Sequence, residues 1–187
     1  PKHVLLSNSL FPNDLEVLQT IVQETGIEFS FVDIDPKSGL LDLGAIEQEF
    51  KDHANQYSAF VFPQVNALGL LENVDALTDF CQQSGVRSIA SIDPYLLASG
   101  GLKPPVEFGE QGADFIVGDA QHLAIGANFG GPGLGLFGCR YNERNRRDLR
   151  HTPGRYIGQA KDINGRDCFV MVLSTREQHI RKEKATS

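Results

Sequence analysis

The 187-residue chain has 41% hydrophobic and 22% charged residues and a formal charge of −7, values that suit one ordinary globular domain and argue against a general nucleic-acid binder. Its three cysteines, Cys81, Cys139 and Cys168, are odd in number and have neither C-x-x-C nor zinc spacing, so they read as reduced thiols of a cytoplasmic compartment and not as a disulfide framework or metal site. No apolar run approaches the ~20 residues of a membrane span and no signal-peptide core is present, so a soluble protein with no membrane partner is expected.

The first elements alternate strand and helix. His3–Leu6 is a short apolar strand, and Pro12-Asn13-Asp14 starts a helix whose Leu15, Leu18, Ile21 and Val22 recur at helical spacing until Gly26. Ile27–Ile34 is a strand, Asp42 caps a helix with Leu43, Ile46 and Phe50 on its apolar face, and Ser58–Phe62 is a continuous apolar strand of the doubly covered parallel kind. That strand ends in a polar loop, Gln64 to Gly69, at the carboxyl edge where α/β proteins place ligand contacts. A helix then turns Val74, Leu77 and Cys81 inward and closes at Gly85.

Ser88–Ile92 is the next strand and delivers Asp93, which serves equally as a cap for the following segment or as a partner for a protonated ligand atom. Leu96–Gly101 is an irregular linker and Pro104–Gly112 holds a short helical turn. Phe115–Val117 is a buried strand ended by Gly118 and Asp119, after which Gly130, Gly131 and Pro132 force a turn. The run Gly133 to Gly138 spells G-x-G-x-x-G, but its glycines alternate with Leu134, Leu136 and Phe137 as in a strand running on to Cys139. A dinucleotide fingerprint must open a helix, so the nucleotide reading is set aside; a tight structural turn stays open beside a site of close approach.

Arg140, Arg144, Arg146, Arg147 and Arg150 form a local basic cluster on an expected helix over Tyr141–Leu149. Tyr156–Asp162 and Cys168–Leu173 are two strands joined through Asn164-Gly165, a hairpin signal, and Ser174-Thr-Arg-Glu177 is a capping box opening a charged helix. Strands alternating with helices through Val117 imply a parallel sheet with right-handed crossovers, a three-layer α/β domain over 1–187. Pro1 in place of an initiator Met, and a helical pattern with no C-cap at Ser187, lead us to expect a piece of a longer subunit.

An Asp at the end of one strand, a polar residue after the next, then a Gly-rich turn and a strand resembles fold type I pyridoxal-phosphate enzymes. The resemblance implies that Asp93 takes the place of the carboxylate facing the pyridine nitrogen. It leaves the Schiff-base lysine unfilled, because the elbow holds Gln121 and His122 and no lysine occurs between Lys103 and Lys161.

More specifically, Gly118-Asp-Ala-Gln-His-Leu123, Asn128-Phe-Gly-Gly-Pro132, Pro153-Gly-Arg-Tyr-Ile-Gly-Gln159 and the run from Ser174 to Ser187 resemble the glycine cleavage system P-protein family, closest to its N-terminal half or first subunit. Gln64 to Gly69 and Leu102-Lys-Pro-Pro105 fit as well, so the resemblance covers the whole chain. It departs at His122, Ala124 and Ala127, where relatives often have Pro, Gly and Leu.

The resemblance implies a subunit of glycine dehydrogenase (decarboxylating), an oxidoreductase of glycine catabolism. A lysine-bearing second subunit would hold pyridoxal phosphate in a heterotetramer of two of each, and the complete enzyme would decarboxylate glycine and pass the aminomethyl group to lipoyl H-protein. It also implies that Gln121, eleven positions before Pro132, occupies the lysine position, with His122 beside it and Asp93 a vestigial cofactor ligand. Asn66, Gly130, Gly131, Arg176 and His179 are then interface or loop candidates. The isolated chain would be inactive. A free-standing pyridoxal-phosphate lyase or aminotransferase, and a non-catalytic assembly module, are the alternatives; the missing lysine speaks against the first.

Overall fold

The computed structural model describes residues 2–126, 129–145, 148 and 155–173. The chain divides into two compact units, Pro1–Arg140 and Tyr141–Ser187. The first has the strands β1 (His3–Ser7), β2 (Glu28–Val32), β3 (Tyr57–Pro63), β4 (Arg87–Ile92), β5 (Phe115–Asp119) and β6 (Gly135–Cys139), with the helices α1 (Pro12–Val22), α2 (Leu43–His53), α3 (Val74–Ser84) and the single turn α4 (Gln121–Ala124). The strands form one sheet in the order β2-β1-β3-β4-β5-β6, parallel from β2 through β5 and closed by an antiparallel β6.

The strand order reverses between β1 and β3. The β1-to-β2 crossover runs one way along the sheet and the next two run the other, so right-handed connections put α1 on one face and α2 and α3 on the opposite one. The result is the helix–sheet–helix sandwich expected from the alternating pattern. Local chemistry sets the helix ends. Asp42 Oδ1 accepts from the N–H groups of Gly44 (2.9 Å) and Ala45 (3.1 Å), Asn73 Oδ1 accepts from Ala76 N (3.2 Å), and Gly85 closes α3 at φ +74°, where a side chain would be strained.

The two faces are unequally covered. On the α2/α3 side Ile46, Phe50, Leu77 and Cys81 pack on Leu5, Phe60, Phe62, Ala90 and Ile92, and the Phe60 ring meets Phe50 edge-on at 5.8 Å and lies tilted against Phe62 at 5.3 Å. α1, by contrast, buries no residue fully. Ile21, expected to face inward, is 69% exposed. The 3.6-residue period fixes which side chains share a stripe but not how closely that stripe approaches the sheet, and α1 stands off from it.

The second unit contains the hairpin of β7 (Arg155–Lys161) and β8 (Asp167–Leu173), paired from Arg155↔Leu173 to Lys161↔Asp167. Its turn holds the expected Asn164-Gly165, with Asp162 Oδ1 accepting from Asn164 N at 2.8 Å and Arg166 N at 2.9 Å. Of the charged helix expected over Tyr141–Leu149, Glu143–Asn145 form a turn, opened by Asn142 Oδ1, which accepts the Asn145 N–H at 2.7 Å, and Asp148 is helical. The helix expected from Ser174 lies outside the described residues. Among the described residues no helix is long and apolar enough to cross a membrane.

Candidate functional site at the carboxyl ends of β4 and β5

β4 and β5 pair from Ile89↔Phe115 to Ile92↔Gly118, and this register brings the residues just beyond each strand side by side. From β4 comes Asp93. Its Oδ1 accepts the Tyr95 N–H at 2.9 Å, capping a 3-10 turn over Pro94–Leu97, and lies 3.1 Å from His122 Nε2. The turn ends at Leu97, inside what the sequence reads as an irregular linker from Leu96. Asp93 is therefore a cap and also faces a polar partner across the strand ends. The His122 ring meets Tyr95 edge-on, with centroids 6.0 Å apart.

β5 ends at Asp119, whose Oδ1 accepts the Gln121 N–H at 2.7 Å and so fixes the elbow from which α4 starts. Gln121 turns back on its own turn: its Nε2 donates to the Ile125 carbonyl at 3.1 Å, while its Oε1 is buried with no hydrogen-bond partner among the described residues. The Ala120 N–H donates to the Leu134 carbonyl at 2.9 Å, tying the elbow to the glycine-rich turn.

Two glycines here have clear physical reasons. Gly118 lies against β4, where an added Cβ would come 2.3 Å from the Ile92 carbonyl oxygen, and Gly130 adopts φ +90°. Around Gly131, Gly133 and Gly135 an added Cβ would meet nothing within 4 Å among the described residues; with Gly118, Asp119, Gln121 and Gly130 these glycines border a cavity of about 560 Å³. The turn leads into strand β6 and not into a helix, so the dinucleotide fingerprint finds no structural counterpart.

A second and larger cavity, about 790 Å³, opens between α1 and the half-buried sheet face. Val61, Ile89, Ser91 and Val117 form its floor, Phe11 and Leu18 one wall, and Asp14, Asp93, Asp119 and His122 its rim.

Asn66 serves its own loop. It is fully buried, its Nδ2 donates to the Gly39 carbonyl and to Glu72 Oε1, both at 2.9 Å, and its Oδ1 accepts from Leu68 N and Leu70 N, both at 3.0 Å. The buried carboxylate of Glu72 also accepts the Leu41 N–H at 3.1 Å and so joins two loops at the carboxyl edge. Arg176 and His179 lie outside the described residues. The structure thus brings Asp93, Gln121, His122 and the Gly130-Gly131 turn together beyond β4 and β5, while Asn66, beyond the neighbouring β3, spends its hydrogen bonds on its own loop, Gly39 and Glu72. Reading the sequence missed Asp14 and Asp119 as rim carboxylates, although Asp119 stands beside the elbow and carried a signal.

The glycine cleavage system P-protein family model matches residues 1–187. The chain belongs to this family. It is 39% identical over 185 residues to the probable glycine dehydrogenase (decarboxylating) subunit 1 of Francisella philomiragia, a match covering 98% of this chain and 38% of that protein. The subunit 1 of Francisella tularensis subsp. novicida is 38% identical over the same share of each. The chain therefore spans well under half the length of the curated relatives it matches.

Among solved structures, glycine decarboxylase (P-protein) of the glycine cleavage system in inhibitor-bound form superposes with a TM-score of 0.71 at 30% identity, covering all of this chain and 38% of the other. The cysteine desulfurase of Thermococcus onnurineus NA1 shares the fold, with a TM-score of 0.58 at 18% identity over 92% of this chain and 39% of that one. The P-protein chain thus has the α/β fold of type I pyridoxal-phosphate enzymes.

Proposed function

We infer that this chain is part of the first subunit of a cytoplasmic glycine dehydrogenase (decarboxylating). In this reading a homologous second subunit carries the Schiff-base lysine and the pyridoxal phosphate, glycine is decarboxylated in the assembled heterotetramer, and the aminomethyl group goes to lipoyl H-protein. The observation that carries it is the Gln121 side chain at the elbow after β5. A carboxamide nitrogen already donating to Ile125 O has no lone pair with which to attack the cofactor aldehyde, and the elbow offers no amine in its place. Asp93 is likewise engaged, by Tyr95 N and His122. This donor set does not fit a covalently held pyridoxal phosphate, and no step is assigned to that group on this chain. The work left to the chain is to shape and close a site whose reactive amine comes from elsewhere.

The test is borohydride treatment of the purified chain with pyridoxal phosphate, followed by mass spectrometry and an assay of carbon dioxide release from glycine. No stoichiometric adduct and no turnover are expected alone, with turnover appearing when the complete subunit is mixed with a lysine-bearing partner. A stoichiometric adduct on one lysine together with turnover in isolation would overturn the reading in favour of a free-standing enzyme.

A further inference from the structure

We propose that Asn164, at the tip of the β7–β8 hairpin, is a site of self-modification, where the Gly165 nitrogen displaces the side-chain amide and the residue becomes aspartate or isoaspartate. Of the nine asparagines in the chain it alone precedes a glycine. Glycine sets no Cβ beside its own nitrogen, and the space around Gly165 is open among the described residues. Asn164 and Gly165 are exposed and Ile163 stands wholly in solvent, so water reaches the amide. Side-chain bonding separates Asn164 from other asparagines. Asn66 is fully buried with both amide atoms hydrogen-bonded, and the Ala67 N–H beyond it donates to Ser9 O at 2.9 Å. Asn73 and Asn142 spend their Oδ1 atoms on Ala76 N and Asn145 N. The Asn164 side chain makes no hydrogen bond among the described residues; only its main-chain N–H is engaged, by Asp162 Oδ1.

The turn sets the rate. Gly165, at φ +78°, donates its N–H to Asp162 O at 3.0 Å, Asp162 N donates to Arg166 O at 2.9 Å, and Asp162 Oδ1 holds the N–H groups of Asn164 and Arg166. While these bonds stand, the attacking nitrogen is committed and Asn164 cannot rotate its Cγ onto it. An exposed turn opens at low free energy, and each opening releases the nitrogen. Gly165 N then gives its proton to hydroxide and bonds to Asn164 Cγ; the Cγ–Nδ2 bond breaks, and ammonia leaves with a proton from water. Water next opens the resulting succinimide, with no electron transfer. Cleavage between Gly165 N and Cγ leaves aspartate on the original chain. Cleavage between Gly165 N and the Asn164 main-chain carbonyl leaves isoaspartate, whose chain runs through Cγ and is longer by a methylene. Either product adds a negative charge beside Asp162 and Asp167, and the longer chain cannot keep both the Gly165–Asp162 and Asp162–Arg166 bonds.

The purified chain is incubated in mildly alkaline buffer and each asparagine is followed by peptide mass spectrometry, with chromatography separating the aspartate and isoaspartate forms. Acid forms are expected at Asn164 well before Asn66, with both isomers present, and more slowly than in an unstructured peptide of residues 161–167. Asp162→Ala, which removes the acceptor of two turn N–H groups, should speed the conversion about fivefold, the weight of roughly one net hydrogen bond. Asn164→Gln, whose longer side chain must close a larger ring, should abolish it.

A native Asn164 that keeps its amide while the peptide converts would overturn the proposal, as would aspartate without isoaspartate, the mark of direct hydrolysis. A native rate equal to the peptide's, or an Asp162→Ala rate equal to the native one, would overturn the control by the turn. Should Asp162→Ala open the hairpin altogether, urea below the unfolding transition must still raise the rate of the unsubstituted chain towards that of the peptide; a rate indifferent to urea counts against the proposal.

Discussion

His122 Nε2 lies 3.1 Å from Asp93 Oδ1 although the two residues are 29 positions apart, and the same carboxylate oxygen caps the 3-10 turn through Tyr95 N. Both side chains of the pair are close to half exposed, so solvent screens their attraction. His122→Ala is therefore expected to change stability by less than about 1 kcal/mol, while Asp93→Ala, which also removes the cap, should cost about 1 kcal/mol or more. Urea unfolding of the two variants checks the order; a histidine variant that loses more than the aspartate variant would refute this division of roles.

The unequal coverage of the sheet makes a second expectation quantitative. Phe60 is completely buried between α2 and its strand neighbours, and Phe60→Ala should cost roughly 3–5 kcal/mol through lost burial and a residual cavity. Ile21→Ala on the outer face of α1 should stay within about 0.5 kcal/mol. Comparable losses in the two variants would mean that α1 is packed as tightly as α2.

Helix α2 rests on one side chain for its start. Asp42→Ala leaves the Gly44 and Ala45 N–H groups without their acceptor and should cost about 1 kcal/mol, whereas Asp42→Ser, which keeps an acceptor, should recover most of it. Denaturation midpoints of the two variants decide.

Asp75 contributes a pH dependence. Its carboxylate receives the Lys103 ammonium at 2.8 Å and 2.9 Å and the Gly109 N–H at 2.7 Å, and these bonds, Lys103 first, hold it below the usual aspartate range. A carboxyl depressed in the folded state contributes stability that is fully present above its unfolded value, about 3.9, and is lost as the pH falls through the lower folded value. Asp75→Asn should therefore flatten the acid limb of the stability profile below about pH 4 and leave its shape at neutral pH unchanged. Parallel acid limbs for both proteins would argue against this role.

The three thiols should separate by access. Cys81 is fully buried, and burial, with the Asp114 carboxylate adding to it, raises its thiol well above the ordinary range; Cys139 and Cys168 are partly exposed. A thiol reagent is expected to label Cys139 and Cys168 in the native protein and Cys81 only after unfolding. Prompt native labelling of Cys81 would place it outside the core.

Much of this molecule could be read along the chain because the forces concerned are local. Asp42 and Gly85 mark helix ends through hydrogen bonds and backbone angles that involve only near neighbours, and the apolar run of β3 signals a largely buried strand, although the face carrying Val61 is only half covered. The family, too, was legible, because its motifs around Gln121 and the glycine-rich turn are short and contiguous.

What depended on tertiary structure was every relation set by register or distance. The meeting of Asp93 and His122 follows from the pairing of Ile92 with Gly118 across β4 and β5, and the burial of Asn66 from Gly39 and Glu72 closing around it. The exposure of Ile21 follows from how far α1 stands from the sheet. Periodicity and motifs specify which face a residue occupies and what it can bond. How closely two faces approach is decided by packing the whole chain at once, and that is why the groove, its apolar floor and its three carboxylates appear only in the folded molecule.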